Sequence, residues 1–308
     1  MPPRWNWDFD DEPRVPPGTG SFDGRDLRPR QRRPRTRTIR TTIVLALIIA
    51  LLAASSSHSG HSHAAAAARP PAHRVARAKP VTAQAATAAV LAYTPFVSSG
   101  GTGGRDVALT FDDGPGPYTP QVLTVLERMH VHATFFVIGE MLRYFARSAE
   151  RELRDGDVIG DHTETHPFMA RLSARDQANE LEEQIARIEL IGGPRPTLFR
   201  PPYGSFDATT MRELRRMHLL MVLWSDDTED YRQPGVAAIV SRALEGAHPG
   251  AIILLHDAGG TRTETVAALP AIIRGIRARG LRLVTIPQLL HQDPPPHGLP
   301  LPPNLSGD

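Results

Sequence analysis

The sequence predicts an α/β chain in which about seven strand-helix units build a distorted (β/α) barrel over residues 105–290. Three observations lead there. Short apolar runs rich in β-branched and aromatic residues alternate with longer segments of helical period. Helix-start and helix-stop residues punctuate the alternation: Ser173-Ala-Arg-Asp176 has capping-box spacing, and Gly156 and Gly280 stand where C-terminal glycines are expected. Repeated units of this kind make a parallel sheet, either closed or open and doubly wound, and seven of them favour the barrel.

In chain order the predicted strands are Val107–Phe111, Ala133–Ile138, Val158–Ile159, Thr197–Phe199, Leu219–Trp224, Ala251–Leu255 and Leu281–Ile286. Between them lie predicted helices near 119–129, 140–154, 173–191, 207–217, 236–245 and 262–279. In either sheet architecture the functional groups gather at the C-terminal ends of the strands.

The ends of the chain have a different composition. Residues 1–40 are rich in Arg, Pro and Gly, lack periodic apolar residues and read as disordered. Ile43–Ala54 is a continuous apolar run; its twelve residues would span about 18 Å as a helix, and flanking Thr and Ser extend it to roughly 25 Å. Residues 41–57 are therefore expected to insert in a membrane, as a signal peptide or as an anchor. The long segment before the run and the lack of a small-x-small site directly after it favour an uncleaved anchor. Residues 58–104, rich in Ala, Ser, His, Pro and Gly, read as a flexible spacer, and 291–308 as a disordered Pro-rich tail.

The formal net charge is +2, and its basic excess is concentrated in Arg28-Pro-Arg-Gln-Arg-Arg-Pro-Arg-Thr-Arg37, immediately before the apolar run. That position fits a segment retained on the cytoplasmic side better than a nucleic-acid patch, and places the bulk of the chain outside the cytoplasm. There is no cysteine, so disulfide frameworks and thiolate metal sites are excluded and any metal must be held by His and carboxylates.

Several constellations fall at predicted strand ends. Thr110-Phe-Asp112-Asp113-Gly-Pro115 leaves the first strand into a turn, where adjacent carboxylates escape the alternation of a strand and can converge on one site. His162-Thr-Glu-Thr-His166 follows the third, with a spacing that suits a divalent ion. Arg200-Pro-Pro-Tyr203-Gly204 follows the fourth: a rigid turn able to offer a backbone N–H to an oxyanion, and a guanidinium able to hold a carboxylate. Trp224-Ser-Asp-Asp-Thr-Glu-Asp230-Tyr231 follows the fifth and His256-Asp257 the sixth, a pairing that fits an orienting carboxylate and a proton donor. His58, His61 and His63 in the spacer, and His130, His132, His218 and His248 in the domain, lack such partners.

With these motifs in order, residues 105–290 resemble a NodB-like polysaccharide deacetylase of carbohydrate esterase family 4. The resemblance implies a metal, usually zinc, held by Asp113, His162 and His166, with Asp112 as general base oriented by Arg200. It implies His256 as general acid held by Asp230, the Tyr203 N–H at the oxyanion, and Leu254 with Tyr231 around the acetyl group. The family commonly has Trp at Tyr231 and Asn at Asp161, which leaves substrate preference open. The expected reaction is removal of N-acetyl groups from an amino-sugar polysaccharide, peptidoglycan N-acetylglucosamine first and chitin-like glycan second, by an extracytoplasmic, membrane-tethered enzyme that does not bind nucleic acid. The alternatives are an O-acetyl polysaccharide esterase on the same site and an inactive carbohydrate-binding homologue. A glycoside hydrolase would use paired carboxylates without needing the two histidines.

Overall fold

A computed structural model describes residues 82–305 of the chain. Strands β1 (Phe96–Val97), β2 (Asp106–Asp112), β3 (Thr134–Val137), β4 (Val158–Asp161), β5 (Leu198–Phe199), β6 (Leu220–Val222), β7 (Asp226–Asp227), β8 (Ile252–His256) and β9 (Arg282–Val284) form one sheet, in which every pairing is parallel. The order is β1-β6-β5-β4-β3-β2-β8-β7, with β9 joined to the first half of β2. Among the described residues no pairing joins β1 to β7, so the barrel is incomplete. Around it lie α1 (Ala83–Leu91), α2 (Thr119–Arg128), α3 (Gly139–Asp155), α4 (Ala174–Leu190), α5 (Ala208–Met217), α6 (Val236–Glu245), α7 (Thr263–Ala278) and α8 (Ile286–Gln292).

The two faces of β2 explain how the barrel is filled. Val107, Leu109 and Phe111 join the outer core made with α2, α3, α6 and α7, whereas Ala108 joins an inner core with Phe136, Leu198, Leu220 and Ile252. A period of two sends Thr110 and Asp112 to the inner side as well. Val90 of α1 and Leu289 of α8 belong to the inner core, near the strand starts. The strand ends opposite are left to the polar motifs.

The helix-end signals act as the sequence predicts: Ser173 Oγ accepts from the Asp176 amide at 3.2 Å, and Gly156 and Gly280 take φ of 91° and 75°. Two boundaries differ. The fold begins before Arg105, because α1 and β1 are integral to it: Val97 is fully buried and β1 pairs with β6. The segment after α8 is packed as well, with Tyr93 Oη donating to the Pro295 carbonyl at 2.8 Å and the Tyr93 and His297 rings stacked at 3.8 Å. Composition misled here because an Ala-rich helix of nine residues and a two-residue strand carry almost no periodic signal. The Arg-rich segment, the segment 41–57 expected to insert in a membrane, and the expected spacer up to residue 81 lie outside the described residues. Among the described residues no helix is long and apolar enough to cross a membrane.

One core residue works against the fold. Glu152 of α3 is fully buried, and neither carboxylate oxygen has a hydrogen-bond partner. Burial, reinforced by Asp257 and Asp157, pushes its pKa well above the ordinary carboxyl value. The folded state therefore holds a proton that the unfolded chain gives up, so this residue lowers stability as pH rises above the unfolded value. Glu152→Met, which removes two orphan acceptors at similar volume, is expected to stabilise by about 1–3 kcal/mol at neutral pH. Thermal melts should show the gain shrinking towards pH 4, and a destabilised variant at pH 8 refutes this account.

Candidate active site

The C-terminal ends of β2, β4, β5 and β8 bring the motif residues to one place. Asp112 ends β2, and its partner in the register is His256, the last residue of β8. Asp113 escapes the strand's alternation by a left-handed turn, φ 71°. This turn directs it to the same site as Asp112. Gly259 makes room for it, since a Cβ built on Gly259 would fall 2.2 Å from Asp113 Oδ2. Thr163, His166 and Tyr203 also have φ near 60°, at 68°, 61° and 57°. Non-glycine residues held there cost about 1–3 kcal/mol each, a cost typical of sites where geometry is over-determined.

Asp113, His162 and His166 are buried, and their donor atoms all lie within 4.8 Å of one another. His166 Nε2 is 3.1 Å and His162 Nε2 3.6 Å from Asp113 Oδ1. The other ring nitrogens are engaged: His162 Nδ1 with the Arg200 carbonyl at 2.7 Å, and His166 Nδ1 with Tyr203 Oη at 3.1 Å. A carbonyl can only accept, so His162 carries a proton on Nδ1 and turns Nε2 towards Asp113. Burial opposes ionisation of Asp113, but attraction to His166, hydrogen bonds from His162 and His166 and the more distant His256 outweigh it and hold the carboxyl well below the usual carboxylate range. Burial pushes the His166 pKa down, towards the neutral ring. A carboxylate and two imidazoles with converging donor atoms are the ligand set of a divalent-ion site with open positions. The residues therefore fit a metal.

Asp112 lies beside this set and outside it. Arg200, fully buried within the barrel, gives Nη1 to Asp112 Oδ1 at 2.7 Å and to Thr110 Oγ1 at 2.8 Å, Nε to the Val222 carbonyl at 3.1 Å and Nη2 to the Leu223 carbonyl at 3.2 Å. Its guanidinium lies 4.1 Å from the centre of the Phe136 ring. Asp112 Oδ2 is 3.8 Å from His162 Nε2, facing the ligand set.

On the other side, Asp230 Oδ1 accepts from His256 Nδ1 at 2.7 Å, while Oδ2 accepts from the His256 amide at 2.9 Å and from Thr265 Oγ1 at 2.7 Å. Burial disfavours the imidazolium, but Asp230 at this distance outweighs burial and pushes the His256 pKa up to about 9. His256 is thus a cation at neutral pH. The Tyr231 ring, 41% exposed, stands edge-on to His256 at 5.4 Å, and Leu254 is buried one strand pair below the site, opposite Thr110. Tyr203 stacks on Phe168 at 4.0 Å.

Three acidic residues of the motifs lie apart from the ligand set. Asp161 does not add a carboxylate to the open site: it is fully buried, its Oδ1 accepts from the Thr163 amide at 2.8 Å, and burial pushes its pKa well up. A neutral carboxylic acid offers Thr163 the same acceptor that an Asn would. Asp226 and Asp227 form the edge strand β7, and Asp227 Oδ1 accepts from the Glu229 amide at 2.8 Å. Sequence reasoning passed over Thr110, Thr265 and the Tyr203 hydroxyl. Thr110 lies inside the first motif and could have been found; Thr265 is 35 residues from Asp230, with no local signal.

Comparison with known proteins gives a consistent set of matches. A family model described as polysaccharide deacetylase matches residues 99–222. The peptidoglycan-N-acetylmuramic acid deacetylase PdaC of Bacillus subtilis is 39% identical over 185 residues, which are 59% of this chain and 38% of that protein. A peptidoglycan-N-acetylglucosamine deacetylase of Bacillus cereus is 37% identical over 187 residues, 60% of this chain and 87% of that protein. A crystal structure of a peptidoglycan N-acetylglucosamine deacetylase in complex with 4-naphthalen-1-yl-N-oxidanyl-benzamide matches with a TM-score of 0.63 and 32% identity, covering 67% of this chain and 97% of that one.

Proposed function

The chain belongs to the polysaccharide deacetylase family, and from that premise and the geometry of its site we propose that it hydrolyses N-acetyl groups on amino sugars of a cell-wall glycan. The observation that carries this reading is the division of labour between adjacent carboxylates: Asp113 stands 3.1 Å from His166 in the ligand set, and Asp112 is held apart by Arg200 with one oxygen facing it. A divalent cation, zinc by the chemistry of the donors, bound by Asp113, His162 and His166 would polarise the acetyl carbonyl and acidify a water. Asp112 takes the proton of the attacking water. The Tyr203 N–H, presented by the Pro202–Gly204 turn, donates to the developing oxyanion. His256, a cation oriented by Asp230, gives its proton to the departing nitrogen, so that an amine rather than an amide anion leaves. The products are acetate and a free amino sugar.

The names of the relatives favour peptidoglycan as substrate, at N-acetylglucosamine or N-acetylmuramic acid, with chitin-like glycan second. The Arg-rich segment and the apolar run after it support placement outside the cytoplasm on a tether at 41–57. Acetate release from peptidoglycan and chitooligosaccharides, with acetylxylan as the ester control, tests the reading; absence of release from all amide substrates by the zinc-loaded protein overturns it. The pH profile supplies a second check. The acid must be protonated, so kcat should fall as pH rises through about 9. Asp230→Asn removes the charge that raises His256 and should move that limb to lower pH. His256→Ala should cost far more on amides than on esters, whose alkoxide leaves with less help.

A further inference from the structure

We propose that the segment Asp293–Leu305 belongs to the working apparatus of the site: it straps down the Pro202–Gly204 turn and holds Tyr203 in the conformation in which its N–H is presented. The inference rests on the role proposed above for that N–H. It concerns positioning residues, Asn304 and Leu305, which act through the turn.

The segment leaves α8 at the far end of the barrel, where it is fastened. Gly101 donates its amide to the Asp293 carbonyl at 2.7 Å and Gly104 its amide to Asp293 Oδ2 at 2.6 Å. It then passes Tyr93, which bonds Pro295 and stacks on His297, and Leu299 packs against the cluster formed by Phe199, Phe206, Leu214 and Met221. It ends on the turn itself. The Leu305 amide donates to the Gly204 carbonyl at 3.1 Å, and Asn304 Oδ1 accepts from the Phe206 amide at 3.3 Å. The fit is close: Gly204 has φ 67°, and a Cβ there would fall 2.7 Å from Leu305 Cβ.

Tyr203 lies directly before the anchored carbonyl, with φ 57°. A left-handed tyrosine relaxes unless its surroundings forbid it. Within the body of the fold, contacts among the described residues oppose relaxation: the hydroxyl on His166, the stack on Phe168, and Ser205 Oγ, which accepts from the Ala170 amide at 3.1 Å. The first two hold the side chain, the third the following residue. The strap adds backbone contacts on both sides of Ser205, directly after the strained residue. Six of its thirteen residues are proline, so little chain entropy is lost when it docks.

The test compares the full chain, zinc-loaded, with Leu305→Pro, which deletes the donating amide, and Asn304→Ala, which deletes the acceptor. Acetate release from a chitooligosaccharide gives kcat and KM. Hydrogen exchange of the Gly204 and Ser205 amides, which bond within the turn to the Pro201 and Pro202 carbonyls, reports its conformation. Removing an oxyanion donor outright costs about 10²–10³ in kcat; loosening it through both variants together should cost about tenfold, with KM and zinc content unchanged and faster exchange of both amides. Wild-type kcat in the double variant, or a loss that merely tracks zinc content or melting temperature, overturns the proposal. If the unaltered chain releases no acetate, the functional reading fails. The strap is then judged by exchange, and unchanged protection in the variants refutes it.

Discussion

Asp112→Asn is expected to lower kcat by about 10²–10⁴ while leaving zinc content intact, the range a positioned general base contributes. The substitution keeps the shape of the side chain and an oxygen for Arg200 Nη1, now 2.7 Å from Asp112 Oδ1, and removes only the ability to take a proton. The ligands stay as they are, because Asp113, His162 and His166 are held by other contacts. Arg200 loses its counter-charge in the barrel interior, so some loss of stability accompanies the change, and melting curves must be recorded beside the kinetics. Metal analysis after dialysis separates the cases. A variant with full zinc and more than about a tenth of wild-type turnover removes Asp112 from the role of base.

Chelation of the metal should reduce acetate release by about 10³-fold or more, with recovery on adding zinc, since charge stabilisation by a bound cation is worth several kcal/mol. His166→Ala should be inactive and stay so in excess zinc, because only Asp113 and His162 remain of the ligand set. Tyr203→Phe tests the support behind the ligand: it deletes the hydroxyl 3.1 Å from His166 Nδ1 and should weaken zinc binding about 10–100-fold, with turnover restored at saturating zinc. Turnover insensitive to chelators at every zinc concentration overturns the assignment of these three residues as ligands.

Most of the barrel was legible because its strands are continuous apolar runs and its helices show helical period, some with caps such as Ser173 and Asp207. The predicted 207–217, 236–245 and 262–279 fall within a residue or so of α5, α6 and α7. The site was legible as positions, since each motif follows a strand and a parallel sheet brings strand ends together. What stayed hidden has a common cause. β1 pairs with a strand more than a hundred residues away, Thr265 reaches Asp230 across 35, and Leu305 reaches Gly204 across more than a hundred. None leaves a local pattern. Proline adds a second cause: the feature that makes 293–305 look unstructured also stiffens it for docking. The burial of Asp161 was hidden for another reason, because a residue next to a ligand can point into the site or behind it, and only the Thr163 amide shows which.

Arg200 joins the two halves of the reaction at a single point. Its side chain fixes the proton acceptor Asp112, and its own carbonyl fixes the ligand His162. Any sway of the β5 end therefore carries acceptor and ligand along together, and the gap between them varies less than the position of either. The site is gauged from one residue rather than from the barrel as a whole. A barrel that is not closed can flex at its edges and still keep that gap constant.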